Sequence, residues 1–187
     1  MIGGENRPLP RATLPELLRR AVAAARRAEE EPGDRAFARA HLTPGEFELW
    51  QRQSALDRDH SVRVARRVER RLAETVHGRD SRWVAVALLH DVGKADAQLS
   101  PLERAVATLA SRVVDSATAR RWASQDGGRR SRIGSYLIHG EIGARMIRAA
   151  GGRAEAADWA EVHQGDRGPG ASIPPDVAAA LVDSDVA

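Results

Sequence analysis

The sequence contains no cysteine, few aromatic residues and no long apolar run. The lack of cysteine excludes a disulfide framework and a thiolate metal site, so a bound metal would need His, Asp or Glu ligands. No apolar run approaches the roughly 18 residues that span a membrane, and the N-terminus lacks the apolar core of a signal peptide. We therefore expect a soluble, cytoplasmic protein without membrane association.

Lysine is also nearly absent: among the 29 basic residues, only Lys94 is a lysine. The net charge is +3, and the arginines alternate with acidic residues, which is typical of solvated helix faces. An Arg-rich nucleic-acid binder would rest on the high isoelectric point alone, so we do not expect nucleic acid as a partner. The position of Lys94 can be chance, or it can mark an ammonium that binds a phosphate as a point charge.

Apolar residues recur at helical spacing, and no strand-like alternation occurs. We predict an all-α, single-domain helical bundle, with a tail and accessory helix over residues 1–41 and the functional domain over residues 42–187. Arg120–Arg132 and Gly165–Ile173 are interpreted as loops, the first as an exposed loop or frayed helix. The first three predicted helices are Thr13 to Pro32, Thr43 to Thr75 with a break near Ser54–Asp57, and Trp83–Leu89. The others are Ser100 to Val114, Ile133 to Ala150 with a break or a bend near Gly140, Ala154 to Gln164, and Pro174 to the C-terminus.

The segment Trp83–Lys94 organises the rest of the chain. Seven consecutive apolar residues, Trp83 to Leu89, lead directly into His90 and Asp91. A helix without a polar face is buried, so it carries this pair into the interior. A buried carboxylate and imidazole need a partner, often a metal ion. We therefore predict that His90 and Asp91 form the centre of a metal site.

Four other segments each direct one metal-competent residue toward the core. His60 lies on a buried stripe with Val64 and Val68, and Ile142 follows His139 at the spacing of one helix face. With His60, the residues directed toward the core are His139, His163 and Asp185. Asp183 is predicted to face solvent, although it stays an alternative to Asp185. Any one of these residues could be purely structural, but the ordered set indicates a metal centre.

The ordered set and its local motifs resemble the HD-domain superfamily of metal-dependent phosphohydrolases. Leu-Leu-His90-Asp91-Val-Gly-Lys94 resembles the LLHDIGK signature, and His139-Gly-Glu-Ile-Gly143 resembles the HxxxG element of the two-metal branches. Val162-His163 stands where those branches have one or two histidines before a loop, and Ser184-Asp185 stands where they have Ala-Asp on a late helix. The loop after His163 lacks the second histidine and the GYP triplet of the cyclic-di-GMP phosphodiesterases, which counts against that substrate.

The resemblance implies an HD-type domain over residues 42–187 and a role for each motif residue. His60, His90, Asp91 and Asp185 would ligate one metal, and Asp91 would bridge to a second metal held by His139 and His163. The implied cofactor is one or two divalent ions, Fe, Mn, Ni, Co or Zn, with Mg also open. Asp91 and Lys94 would be the catalytic pair, with Lys94 on a phosphate oxygen. Arg63 is a further candidate phosphate contact, and Arg129, Arg130 and Arg132 compete for that role.

Two functions remain open from the sequence. The first is a metal-dependent phosphohydrolase that acts on a small phosphoester, with a nucleotide as the expected substrate. The alternative is a non-catalytic HD-domain module that binds metal or nucleotide for sensing or for contact with a partner. The complete ligand set and Lys94 favour the enzyme. The oligomeric state is not determined by any of these features.

Overall fold

The computed structural model describes residues 33–164 and 172–186, and all regular secondary structure in these ranges is helical. The predicted accessory helix from Thr13 lies outside the described residues. The helices are α1 (Asp34–His41), α2 (Pro44–Arg52), α3 (Ala55–Leu72), α4 (Arg82–Leu89), α5 (Lys94–Ala97), α6 (Pro101–Ala110), α7 (Ser116–Ala123), α8 (Gly128–Leu137), α9 (His139–Ala149), α10 (Ala154–Val162) and α11 (Pro175–Asp185). The all-α prediction is confirmed.

Side-chain caps define where several helices begin. Thr43 and Glu46 form a reciprocal capping box at the start of α2, and Ser100 and Glu103 form another at the start of α6. Ser54 caps α3 by accepting a hydrogen bond from the Asp57 backbone amide. Each cap satisfies an amide that the helix itself leaves unpaired. The predicted break between α2 and α3 is therefore confirmed.

Helix α4 lies at the centre of the core, because every residue from Trp83 to Leu89 is buried. It packs against α1, α2, α3 and α10, while α11 packs on α3 and α9 packs on α10. Burial of each large apolar side chain contributes about 1.5–3 kcal/mol. The Trp50 indole also donates a buried hydrogen bond to the Ser61 hydroxyl at 3.0 Å, which fixes α2 on α3 beside His60.

The structure corrects two helix assignments of the sequence prediction. Arg120–Arg132 is not a loop or frayed helix, because it contains the end of α7 and the start of α8. Asp115 caps α7. Positive φ values occur at Gly127, which precedes α8, and at Gly128, its first residue. Helix α6 ends at Ala110 rather than near Val114.

The predicted break in the last long helical segment is confirmed, because the helix is interrupted at Ile138, two residues before Gly140. Gly140 allows α9 to approach α10 closely, because a Cβ at this position would lie 2.5 Å from the Ala160 carbonyl oxygen. Gly151, just beyond the end of α9, has a φ of 66°, the left-handed conformation that commonly ends a helix. No helix among the described residues is both long enough and apolar enough to cross a bilayer.

Candidate metal centre

Six predicted site residues, brought from five separate parts of the chain, meet at one place. His60 lies within α3, His90 and Asp91 follow α4, and His139 begins α9. His163 follows α10, and Asp185 ends α11. His90 and Asp91 are each only 2% exposed, and His139 is 1% exposed. The structure therefore brings together all of the residues that the sequence selected as metal ligands.

The four imidazoles divide between the two oxygens of Asp91. His90 Nε2 lies 3.2 Å and His60 Nε2 lies 3.9 Å from Oδ2. His139 Nε2 lies 2.9 Å and His163 Nε2 lies 3.5 Å from Oδ1. Two groups of possible ligands result, one with His60 and His90 and one with His139 and His163, and Asp91 belongs to both.

Three of these histidines are held in the same tautomer by the backbone. The Nδ1 atoms of His90, His139 and His163 donate to the carbonyl oxygens of Ala87, Tyr136 and Ala160 at 2.8, 2.6 and 2.8 Å. A carbonyl only accepts, so Nδ1 carries the proton and, in a neutral ring, Nε2 carries a lone pair. Metal-binding histidines are commonly oriented by such a hydrogen bond from the second ring nitrogen.

This arrangement is chemically suited to a cation. A lone pair on Nε2 that faces a carboxylate oxygen is repelled, unless a second proton or a metal ion lies between them. The buried His90 Nε2 has no hydrogen-bond partner of its own. A divalent ion would satisfy this nitrogen and the carboxylate at once, and imidazole and carboxylate are ligands that divalent transition metals accept. The residues present therefore fit a metal ion.

The pKa values of the buried site residues are shifted by burial and by the charged groups around them. Burial lowers the pKa of His139 to about 4, so this ring is neutral at pH 7. Burial also acts to lower the pKa of His90, but the carboxylates of Asp91 and Asp185 outweigh it and raise the pKa to about 10. Burial favours protonation of Asp91, yet His90 and Lys94 hold its pKa well below the usual value. Asp91 is thus an ionised carboxylate that needs positive partners.

Asp185 is the acidic residue of α11 that reaches the centre. Its Oδ1 lies 2.9 Å from His60 Nε2 and 3.6 Å from His90 Nε2. Asp183 points away, is 60% exposed at its side chain, and pairs with Arg71 at 3.5 Å. Burial opposes ionisation of Asp185, but its contacts with the two histidines lower its pKa strongly. The geometry favours Asp185 over the alternative.

Lys94 contacts the same carboxylate. Its ammonium pairs with Asp91 Oδ2 and lies 5.9 Å from the centre of the Tyr136 ring. Burial acts to lower the pKa of Lys94, but the charge of Asp91 more than compensates and raises it. The sequence predicted only a phosphate contact for this lysine, so its contact with Asp91 is an addition from the structure.

Close packing at two glycines holds the histidines in place. A Cβ on Gly93 would overlap the His139 carbonyl oxygen, so only glycine lets the turn after Asp91 lie against the start of α9. Gly140 in turn brings α9 against the end of α10, which carries His163. These two contacts connect the segments that carry Asp91, His139 and His163.

The centre opens into a cavity of about 420 Å³, which has His60, Asp91, Lys94, His163 and Asp185 in its wall. The structure adds lining residues that the sequence analysis missed, among them Ser111, Ser116 and Gln164. Tyr136 was missed as well, although its ring centre lies 5.5 Å from that of His139. It is the single tyrosine of the chain and precedes His139 by three residues, which was the available signal.

The candidate phosphate-binding arginines are placed differently from one another. Arg63 lines a neighbouring cavity and pairs with Asp59 at 2.6 Å. Arg129 and Arg132 pair with Glu103. Arg130 lies over the Trp122 ring at 5.5 Å. Arg63 thus borders the cavity that shares His60 and Lys94 with the metal centre.

The described residues form a helical bundle in which four histidines converge on one buried carboxylate, and two groups of these residues could each hold a metal ion. A comparison with protein families matches residues 58–185 to the HD domain. Because this match covers more than half of the 187 residues, the chain belongs to the HD-domain family, which forms a superfamily of metal-dependent phosphohydrolases. Searches of curated proteins and of solved structures gave no match.

Proposed function

We propose that this protein is a metal-dependent phosphohydrolase that cleaves a small phosphoester, with nucleotides as the first class to test. One observation carries the proposal: four imidazoles approach the two oxygens of one buried carboxylate, that of Asp91. Two ions held about 3.5–4 Å apart by a shared ligand are the arrangement that many phosphate-cleaving enzymes use.

The proposed ligand sets follow the two sides of Asp91. His60, His90 and Asp185 would hold one ion together with Asp91, and His139 and His163 would hold the other. Fe, Mn, Co, Ni, Zn or Mg are the ions to be compared. When bound, such ions supply a Lewis acid for the phosphoryl oxygens and lower the pKa of water.

The protein itself contributes position and charge. Nδ1 hydrogen bonds fix the rings of His90, His139 and His163, so their Nε2 atoms stay aimed at Asp91. Lys94 places an ammonium at the wall of the open cavity, where it can bind a phosphate oxygen once a metal shares the charge of Asp91. The carboxylates alone would repel a phosphate, so this cation is part of the proposed binding site.

The test is metal-dependent turnover of simple phosphoesters. The protein is purified without a polyhistidine tag, treated with a chelator, and supplied with one candidate ion at a time. Hydrolysis of p-nitrophenyl phosphate, bis(p-nitrophenyl) phosphate and a panel of nucleotides is then measured. We expect hydrolysis that disappears with the chelator and returns with one or more ions.

A matched variant separates this activity from contamination. Lys94→Met should lower turnover while the metal content stays unchanged, because the lysine is assigned to phosphate and not to metal. Tight metal binding without hydrolysis of any ester would contradict the proposal and would favour the binding module. Loss of metal in Lys94→Met would show that the role of this lysine is wrongly assigned.

A further inference from the structure

A second cavity adjoins the one at the metal centre, and the two share His60 and Lys94 in their walls. The second cavity has a volume of about 320 Å³, compared with about 420 Å³ for the first. Each is within the range that encloses a small organic ligand, roughly 300–1,000 Å³. Lys94 and His60 therefore lie between two spaces, and each space is large enough for a separate chemical group.

The first cavity extends from the metal centre toward the connection between α6 and α7. Ser111, Val114 and Ser116 line this end, with Gln164 from the other side. Hydroxyl and amide groups of this kind form hydrogen bonds with sugar or base atoms. None of these four side chains is a metal ligand in the proposed function. The Ser111 hydroxyl donates to the Thr108 carbonyl oxygen at 2.8 Å and can still accept a hydrogen bond, so this end of the cavity can bind a substituent of the substrate.

The second cavity lies between α3 and α6 on the other side of Lys94. The half-buried Tyr136 ring and Leu56 give it an apolar wall, and Thr108 adds a hydroxyl. Aromatic and aliphatic walls bind flat organic rings, because ring faces stack favourably on one another. This composition suits an organic group.

The charges in the second cavity are balanced. Arg104 binds the carboxylate of Asp57 through both terminal nitrogens, at 2.6 and 2.8 Å. Arg63 donates to Asp59, and Lys94 pairs with Asp91. Since each of these cations already has a carboxylate partner, the cavity is better matched to an uncharged group than to a further phosphate.

We infer that the substrate is a phosphodiester, with one organic group in each cavity and the phosphorus between them at the metal centre. A monoester has a single substituent and would leave one of the two cavities without a role. This inference rests on the proposed function and narrows its substrate class.

In the reaction, the oxygen of water bonds to phosphorus as one ester P–O bond breaks. One proton of water goes to the leaving oxygen, and the products are an alcohol and a phosphomonoester.

The two cavities can be blocked separately by substitutions at exposed positions. Thr108→Trp would fill the second cavity, and Val106→Trp is its matched control, since Val106 is exposed on the same helix and does not border that cavity. Ser116→Trp would fill the outer end of the first cavity. Ala117→Trp, at the next exposed position of α7, is the corresponding control.

The first readout is equilibrium binding, which does not depend on turnover. Isothermal titration calorimetry is performed on the metal-loaded protein with diphenylphosphinate, which carries two rings on one phosphorus, and with phenylphosphonate, which carries one. We expect Thr108→Trp and Ser116→Trp each to weaken diphenylphosphinate binding at least about tenfold more than phenylphosphonate binding. Tenfold corresponds to about 1.4 kcal/mol. The two control variants should bind both probes like the wild type.

The second readout is the ratio of kcat/KM for bis(p-nitrophenyl) phosphate to that for p-nitrophenyl phosphate. Each blocking variant should lower this ratio about tenfold, mainly through KM for the diester, because the lost contact lies away from the reacting atoms. Neither control variant should change it.

The possible outcomes separate the two proposals. Hydrolysis of the monoester with an unchanged ratio in both blocking variants would overturn the diester inference and leave the phosphohydrolase intact. Absence of any hydrolysis would overturn the proposed function. In that case, selective loss of diphenylphosphinate binding in the two blocking variants would still support the assignment of one organic group to each cavity. Equal binding by all variants would overturn that assignment.

Discussion

Two buried carboxylates lie in different regions of this protein, one in an ion pair that joins helices and the other at the candidate metal centre. Glu46 and Asp91 are 0% and 2% exposed. Glu46 accepts hydrogen bonds from the backbone amides of Thr43 and Arg153, both at 2.9 Å, and pairs with the Arg153 guanidinium. Asp91 is instead surrounded by four imidazoles and one ammonium. Burial is nearly the same at the two sites, but the partners differ.

The partners determine what each carboxylate can do. A guanidinium does not lose its proton in proteins, so the Glu46 pair is permanent and joins α2 to the start of α10. An imidazole can exchange a proton for a metal ion, so the surroundings of Asp91 can accept a cation. Burial alone therefore does not identify a functional carboxylate, whereas neighbours that can bind metal do.

The largest expected effect on function is at Asp91. Asp91→Asn removes the charge and one of the two shared oxygens, so the protein should lose bound metal and about 10³-fold in turnover. Elemental analysis and phosphoester hydrolysis provide the measurements, and circular dichroism should show that helix content is retained. Normal metal content together with normal turnover would show that the site is wrongly assigned.

At Glu46 we expect a substitution to lower stability and to leave function unchanged. Glu46→Gln leaves the Arg153 guanidinium without its carboxylate, so the free energy of unfolding should fall by about 3 kcal/mol. Turnover and metal content per folded molecule should stay the same, because no ligand moves. Urea unfolding and elemental analysis distinguish these effects. Loss of metal without loss of stability would contradict the division between the two carboxylates.

Asp57 provides a smaller effect that depends on pH. Burial acts to raise its pKa, but hydrogen bonds and charge from Arg104 lower it below the ordinary value of 3.8. The stabilisation is therefore present above about pH 4 and is lost as pH falls through the lowered pKa. Asp57→Asn should reduce the free energy of unfolding by about 2 kcal/mol at pH 7. The difference from wild type, measured in urea, should narrow below pH 4, and a constant difference would refute the ion pair's role.

The smallest effect is expected at Asp183, which is a near neighbour of a proposed ligand in sequence. Its side chain is exposed and pairs only weakly with Arg71, at 3.5 Å. Asp183→Asn should change stability by less than about 0.5 kcal/mol and leave metal content as in the wild type. Asp185→Asn, measured in parallel, should lower metal content. If Asp183→Asn lowered the metal content and Asp185→Asn did not, Asp183 would be the ligand.

Helical periodicity explains why so much of the centre could be predicted from the sequence. His60 recurs with Val64 and Val68 on a buried stripe, and His90 follows an entirely apolar helix, so both had to face the core. Because the ligands come from five separate segments, a compact bundle brings these inward-facing polar residues into contact with one another. The pattern also predicted Asp185 in preference to Asp183.

Other features depend on contacts that a local pattern does not contain. Helix α1 was not predicted, and it is held partly by Asp34, which pairs with Arg66 of α3 at 2.8 Å. The first half of α8, residues 128–132, was interpreted as part of an exposed loop or frayed helix, because Gly127 and Gly128 suggested one. Its polar residues bond to distant partners, as Arg132 does to Glu103. The Asp57–Arg104 pair joins residues 47 positions apart in the chain. Pairings at such separations arise only from tertiary packing.

The most direct test of the central claim is the metal content of the untagged wild-type protein after incubation with each candidate ion and removal of excess. The account predicts about two equivalents of a divalent metal, one on each side of Asp91. One equivalent would restrict the claim to a single side of that carboxylate. No bound metal, even after incubation with excess ion, would contradict it.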